Sequence, residues 1–165
     1  MMLLCAFAIS CCITCGHRDT ADSVTGQARF PWTITVEKSK ILSSLKGDLK
    51  ELQYDGTERK QAYEQKPGSG MVFLIIDLAL DKQKGNTTNF SWKDVYVQDL
   101  RGERYYRHRN DGFLELFGMK RIKAVDLNFG QHRGSVCFEI PQRVAKEALH
   151  FVHETSAGKN VIPLK

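Results

Sequence analysis

Outside its first fifteen residues this 165-residue chain has a single cysteine, Cys137. A lone thiol closes no intradomain bridge, so a disulfide-stapled scaffold is excluded. In a strand pattern, Cys137 reads as a small apolar side chain. No apolar run approaches the ~20 residues that a membrane-spanning helix needs. There is no glycine-rich phosphate loop: Gly68-Ser69-Gly70 leads into a strand pattern, where such a loop would lead into a helix. Also missing are a Gly-x-Ser-x-Gly elbow, a readable histidine partner for Cys137, and the spaced acidic loop of an EF-hand. No internal repeat is visible. Neither sign of charge dominates: charged residues make up 26% and the net charge is +5. With 42% apolar content, that balance argues against wholesale disorder. The mild basicity is compatible with an anionic partner but does not require one. The length supports one domain with a sizeable core.

What is present is organised around residues 70–80, GMVFLIIDLAL, which open after Pro67-Gly68-Ser69. A run this long, bounded by turn residues, reads as a central strand. Leu74, Ile76 and Leu78 point one way; Phe73, Ile75 and Asp77 point the other. Residues 30–42 alternate from Trp32 through Ile34 and Val36, as a half-buried first strand does, with Pro31 at its start. Residues 43–66 are the hardest to read. Leu45, Leu49 and Leu52 have roughly helical spacing, Gly47 interrupts them, and Asp55-Gly56 marks a turn between two short strand patterns, so a weak strand or an irregular excursion is expected. Tyr54 and Tyr63 are placed as caps on the core. Phe90 and Trp92 return the chain to the core.

Residues 93–100 and 103–108 form a hairpin pattern around Arg101-Gly102, with Val95 and Val97 on one face. Residues 113–118 fit a helical turn or a strand, and residues 122–129 a strand. In residues 134–141, Val136, Phe138 and Ile140 face inward, with Cys137 and Glu139 outward or at the rim. Residues 148–154 alternate through Leu149, Phe151 and His153, and residues 161–164 close the chain. Many short strands with turns every ~8–12 residues predict an all-β sandwich or barrel.

The N-terminal segment is an address. Residues 1–14, MMLLCAFAISCCIT, carry no charge, and the polar switch follows at once. The segment matches the apolar region of an export signal. A charged leader is missing before it: either the start lies upstream or the signal is atypical. A cysteine closing such a region resembles the lipobox of bacterial lipoproteins, where that thiol receives diacylglycerol. Cys15 fits the apolar-to-polar boundary, although Cys12-Ile13-Thr14 departs from the usual small-residue pattern. Cys11, after Ala8-Ile9-Ser10, fits that pattern better but shortens the apolar region. Both stand as lipidation candidates, beside simple secretion. Residues 16–28 form a short polar tether.

Residues 66–164 resemble the telokin-like, immunoglobulin-like domain of bacterial surface lipoproteins, a domain of unknown function. The likeness rests on Lys66-Pro67 before the GMVFLIIDL strand; on Phe90 followed by Asp99-Leu100-Arg101-Gly102-Glu103-Arg104-Tyr105; on Leu127-Asn128 leading to GSVCFEIP at 134–141; and on a final pair of short strands. Asp81-Lys82-Gln83 stands where that family often has asparagine, and residues 119–122 are unusually basic. The resemblance implies an extracytoplasmic, lipid-anchored, non-enzymatic sandwich. Fold alone does not give function.

Catalytic and metal chemistry find little support. His150 and His153 are three apart and face opposite sides of a strand. His132 sits in a turn, and His108 lies between arginines. Zinc needs three or four converging ligands. Asp77, Asp94, Asp99, Asp111 and Asp126 are scattered at strand ends; a calcium site shared by Asp77, Asp94 and Asp99 is the one conceivable cluster. Asp77 interrupts an apolar strand and is expected at the rim or with a polar partner. Asn86-Thr87-Thr88 and Asn89-Phe90-Ser91 read as polar turns.

The basic groups Arg104, Arg107, Arg109, Lys120 and Arg121, with Tyr105 and Tyr106 among them, form the candidate patch for an anionic ligand. A charged edge strand explains residues 104–109 without any ligand. The expectation is therefore an all-β, immunoglobulin-like β-sandwich over residues 29–165, behind a signal segment (1–15) and a tether (16–28). No enzyme activity, cofactor or nucleic-acid partner is expected. The expected partners are the membrane, through the lipid anchor, and a protein or envelope polymer. The alternatives are a small extracytoplasmic metal-dependent hydrolase and an anionic-polymer binder using the basic strand face.

Overall fold

The apolar run after Pro67-Gly68 extends as β4 (Met71–Lys82) in the computed structural model, which describes residues 30–85, 87–123 and 130–164. β1 (Trp32–Leu42) pairs antiparallel along one edge of β4, and β7 (Gln131–Pro141) along the other. Val36 lies opposite Leu78, and Ile76 opposite Val136. The second sheet has the order β6-β5-β8-β9, built from β5 (Val95–Gln98), β6 (Arg104–Tyr106), β8 (His150–Thr155) and β9 (Gly158–Pro163). The two antiparallel sheets form the expected β-sandwich. Between them lie Trp32, Leu74, Ile76, Leu78, Val136, Phe138 and Ile140 from the first sheet, against Val95, Val97 and Phe151 from the second. Each large side chain buried here contributes about 1.5–3 kcal/mol.

The outer face of the first sheet is also covered. Phe73, Ile75 and Cys137 pack there against Leu45, Phe113 and Leu114. The cover comes from the helical turn α1 (Phe113–Leu116) and from the start of β2 (Leu45–Leu52). This corrects the placing of Cys137 outward or at the rim: its side chain is fully buried. Alternation put it on the outer face correctly, but that face is not exposed to solvent at this end. Farther along the same face, half-buried Asp77 accepts a 2.6 Å hydrogen bond from Ser135 Oγ, directly across the strand pair. That is the polar partner an acid inside an apolar strand requires.

Residues 43–66 are no irregular excursion: the Asp55-Gly56 turn joins two strands, as its signal suggests, and they form a full hairpin. β2 pairs with β3 (Glu58–Gln65) from Leu45↔Gln65 to Leu52↔Glu58. Its turn is closed by Thr57 N–H donating to Asp55 Oδ1 at 2.9 Å, with Gly56 at φ 82°. Tyr54 does not cap the core; it is fully exposed at the hairpin tip. Tyr63 instead packs its ring 5.7 Å from that of Phe117. Residues 113–118 contain the helical turn, not a strand. Ile122 and Lys123 lie outside any strand. Residues 124–129, which complete that expected strand and include Asp126, Leu127 and Asn128, lie outside the described residues. So do the signal segment, Cys11, Cys15, the tether, and Asn86 of the first polar turn.

Gly134 positions one further segment. Residues 120–122 cross β7 there, with Ser135 N–H donating to Lys120 O at 2.6 Å and Ile122 N–H to Ser135 O at 3.2 Å. A Cβ on Gly134 would sit 2.3 Å from Lys120 O, so the crossing requires glycine.

Candidate anion-binding cleft

β6 ends after three residues because the chain changes sheets. Arg107 leaves the second sheet and bridges to Phe138 of β7, and His108 N–H donates to Cys137 O at 2.7 Å. This corrects the expected return strand over residues 103–108. β6 is the charged edge strand expected, with Arg104 exposed, but Arg107 departs from that picture, since its side chain is only 9% exposed. The turn at Asn110-Asp111-Gly112 folds back, so that Asp111, four residues on, meets the guanidinium.

Arg107 is held on three sides. Nε donates to Asp111 Oδ2 at 2.7 Å, Nη2 donates to Ile122 O at 2.6 Å, and the guanidinium carbon lies 4.1 Å from the Trp92 ring centroid. Its remaining nitrogen, Nη1, is buried and has no acceptor among the described residues; the same is true of Trp92 Nε1. Trp92 is fixed by a 3-10 turn, Trp92–Asp94, capped by Ser91 Oγ accepting from Lys93 N–H, and by an edge-on contact with Phe90 at 5.0 Å. Asp111 is 2% exposed and also accepts from Arg121 Nη1 at 3.3 Å, while Arg121 Nε reaches Glu115 at 3.4 Å. One buried carboxylate thus clamps two guanidiniums. The segment crossing Gly134 carries Arg121 into place.

These groups line a cleft of about 320 Å³, together with Lys93, Tyr106, His108 and Arg109. Four cationic side chains face the single carboxylate Asp111, so the cleft carries excess positive charge. Lys93 and Arg109 are exposed at its mouth. His108 Nδ1 accepts from Asn110 N–H at 3.1 Å, and its Nε2 lies 3.7 Å from Glu139. Arg121 is shared with a second, smaller hollow of about 270 Å³, lined also by Lys120, Lys123 and Arg133, the last of which lies 3.7 Å from Glu37. A larger hollow of about 620 Å³ beside β1 has Lys84 as its one charged side chain.

Of the residues singled out in the sequence, Arg107, Arg109 and Arg121 come together in the cleft, and Lys120 lies in the adjoining hollow. Arg104 does not join them. It lies 4.3 Å from the Tyr96 ring centroid and 3.0 Å from Glu154, on the second sheet. There, burial and the bond donated to Glu154 push the Tyr96 phenol up to about 12. Sequence reasoning missed Trp92 and Lys93 as site residues, reading the first as core alone. The i, i+4 spacing of Arg107 and Asp111 across a turn was the one available signal.

The other titratable groups hold structural positions. Burial works against the Asp99 carboxylate, yet bonds from Tyr105 Oη and from the backbone N–H of Glu103 and Arg101 hold it below the ordinary value. His153 is buried, stacked 5.4 Å from Phe90; burial lowers its pKa, and Asp94 opposes that only in part. Among the described residues, no three His, Cys, Asp or Glu side chains converge as a metal site would require. Nor does any described helix have the length and apolarity to cross a membrane.

No family model matches this chain, and no curated protein matches it. Two solved structures are similar. One, described as an uncharacterized β-sandwich protein from Clostridium difficile 630, has a TM-score of 0.41 and 13% identity, covering 82% of this chain and 86% of that one. The other, a conserved hypothetical protein from Bacillus anthracis, has a TM-score of 0.42 and 12% identity, covering 83% of this chain and 99% of that one.

Proposed function

We propose that this chain is a non-enzymatic binding module, held outside the cytoplasmic membrane by a lipidated Cys15 or Cys11, that engages an anionic envelope polymer through the Trp92–Arg107–Arg121 cleft. One observation carries the reading: among the described residues lining the cleft are four cations and one carboxylate, Asp111, and the acids Asp111 and Glu115 are committed to Arg107 and Arg121, which leaves Lys93 and Arg109 in excess. The excess charge attracts a polyanion at range, and the adjoining hollow extends it with Lys120 and Lys123. This moves the anionic-polymer reading from the strand face into a cleft. The anchor rests on the apolar segment and its closing cysteines, and on the resemblance to surface lipoproteins. The short tether then keeps the cleft near the membrane, where wall polymers and headgroups lie.

Reversal of the two exposed cations tests the binding. Lys93→Glu with Arg109→Glu should abolish cosedimentation with anionic wall fragments at low salt, while the melting temperature holds. Retention equal to wild type would overturn the proposal. For the anchor, Cys15→Ser and Cys11→Ser should between them abolish lipid labelling; labelling that survives both together refutes it.

A further inference from the structure

The two buried donors at the back of the cleft carry the argument further, resting on the binding function just proposed. Trp92 Nε1 and Arg107 Nη1 belong to stacked groups, and neither has an acceptor among the described residues. Arg107 cannot turn to satisfy its own: Nε is committed to Asp111 and Nη2 to Ile122 O. Both groups only donate, so what completes them must accept. A buried donor without a partner is costly, and a charge-assisted bond is the strongest repayment. An oxyanion answers both the donors and the surplus of Lys93 and Arg109. The wall also includes Tyr106, 55% exposed and leaning its ring 6.0 Å from that of Tyr96. An exposed tyrosine face beside a cationic floor suits a ring rather than a bare ion. The volume, about 320 Å³, lies at the low end for small-molecule sites and holds one compact unit.

We infer that the cleft recognises a single acidic sugar unit, its carboxylate or phosphate oxygen accepting from Trp92 Nε1 and Arg107 Nη1, with the sugar ring against Tyr106. The unit is read end-on, as a chain terminus or a free sugar acid. Trp92 is the specificity-determining residue: its N–H distinguishes an acceptor from a merely charged surface.

Calorimetry with defined probes tests this on the intact domain: glucuronate, glucose 6-phosphate, glucose and acetate. The expected result is that glucuronate or glucose 6-phosphate binds at least about tenfold more tightly than glucose or acetate, and the tighter of the two names the oxyanion. Trp92→Phe keeps the ring under Arg107 and removes the N–H, so it should weaken the preferred probe about tenfold with the fold intact. In the wild type, the same probe should shift the tryptophan emission. The inference is overturned if the acidic sugars bind no better than glucose and acetate, or if Trp92→Phe binds as wild type does. If that failure accompanies normal retention on wall fragments, the cleft binds polyanions by charge and the proposed function stands. If retention is also absent, both fall.

Discussion

Gly134→Ala tests whether the segment carrying Arg121 is locked to β7 as tightly as the geometry states. The added Cβ would meet Lys120 O at 2.3 Å, Ile122 Cγ1 at 3.1 Å and the Arg121 carbonyl carbon at 3.2 Å. The first contact is with backbone, so no side-chain rotation relieves it. The segment must lift, and it takes with it the two backbone bonds to Ser135 and the Ile122 carbonyl that holds Arg107. Overpacking costs about 1–3 kcal/mol, and two weakened hydrogen bonds add about 1 kcal/mol each. Alanine's smaller unfolded-state entropy returns about 0.4–1 kcal/mol. The net loss is therefore about 2–5 kcal/mol, or roughly 5–20 °C in melting temperature for a domain of this size. Gly68→Ala is the control, since its Cβ meets only Met71 Cγ at 3.6 Å and Glu139 at 4.0 Å. Urea titration of both variants measures the difference. A Gly134→Ala protein as stable as the control would refute the crossing as described.

Asp111→Asn should cost about 3–5 kcal/mol, because it strands the buried Arg107 guanidinium; chemical denaturation measures it, and a loss below about 1 kcal/mol would contradict the clamp. Burial, reinforced by Asp111 and Glu139, pushes the Cys137 thiol well above its ordinary range, so iodoacetamide should leave it unmodified in the folded protein and label it on unfolding, as peptide mapping will show. The depressed Asp99 carboxyl contributes stability above the unfolded value of 3.8, lost as pH falls through its lower folded value. Asp99→Asn should therefore be less stable at neutral pH, with the gap to wild type closing in acid; a gap independent of pH would refute the assignment.

The strand positions were legible wherever large apolar residues recur at every second position, in half-exposed β1 and also in β5 and β8, where both faces are buried. Trp32, Ile34, Val95, Val97, Phe151 and His153 fall where alternation puts them. Legibility failed for three physical reasons. The β2–β3 hairpin is mostly exposed; β2 alternates from Leu45 to Lys50, but Gly47 stands at one of its inward positions and Leu45, Leu49 and Leu52 mimic a helix. Cys137 and Phe73 occupy a face that looks outward from the sheet but is roofed by α1, and a strand pattern does not announce its roof. The cleft was half visible: charge marked Arg107, Arg109 and Arg121. Trp92 and Arg107 are fifteen positions apart in the chain and meet only where it switches sheets. Arg104 was grouped with them by proximity in sequence, although its neighbours lie on the second sheet.

Because β4 takes its two partners from near opposite ends of the described chain, Trp32↔Lys82 on one side and Met71↔Pro141 on the other, the first sheet cannot assemble piecemeal. A polypeptide truncated before β7 would present the most apolar strand of the molecule with a bare edge of N–H and C=O groups, a template for pairing with other copies. Premature termination in this protein is thus expected to produce insoluble material rather than a smaller soluble domain.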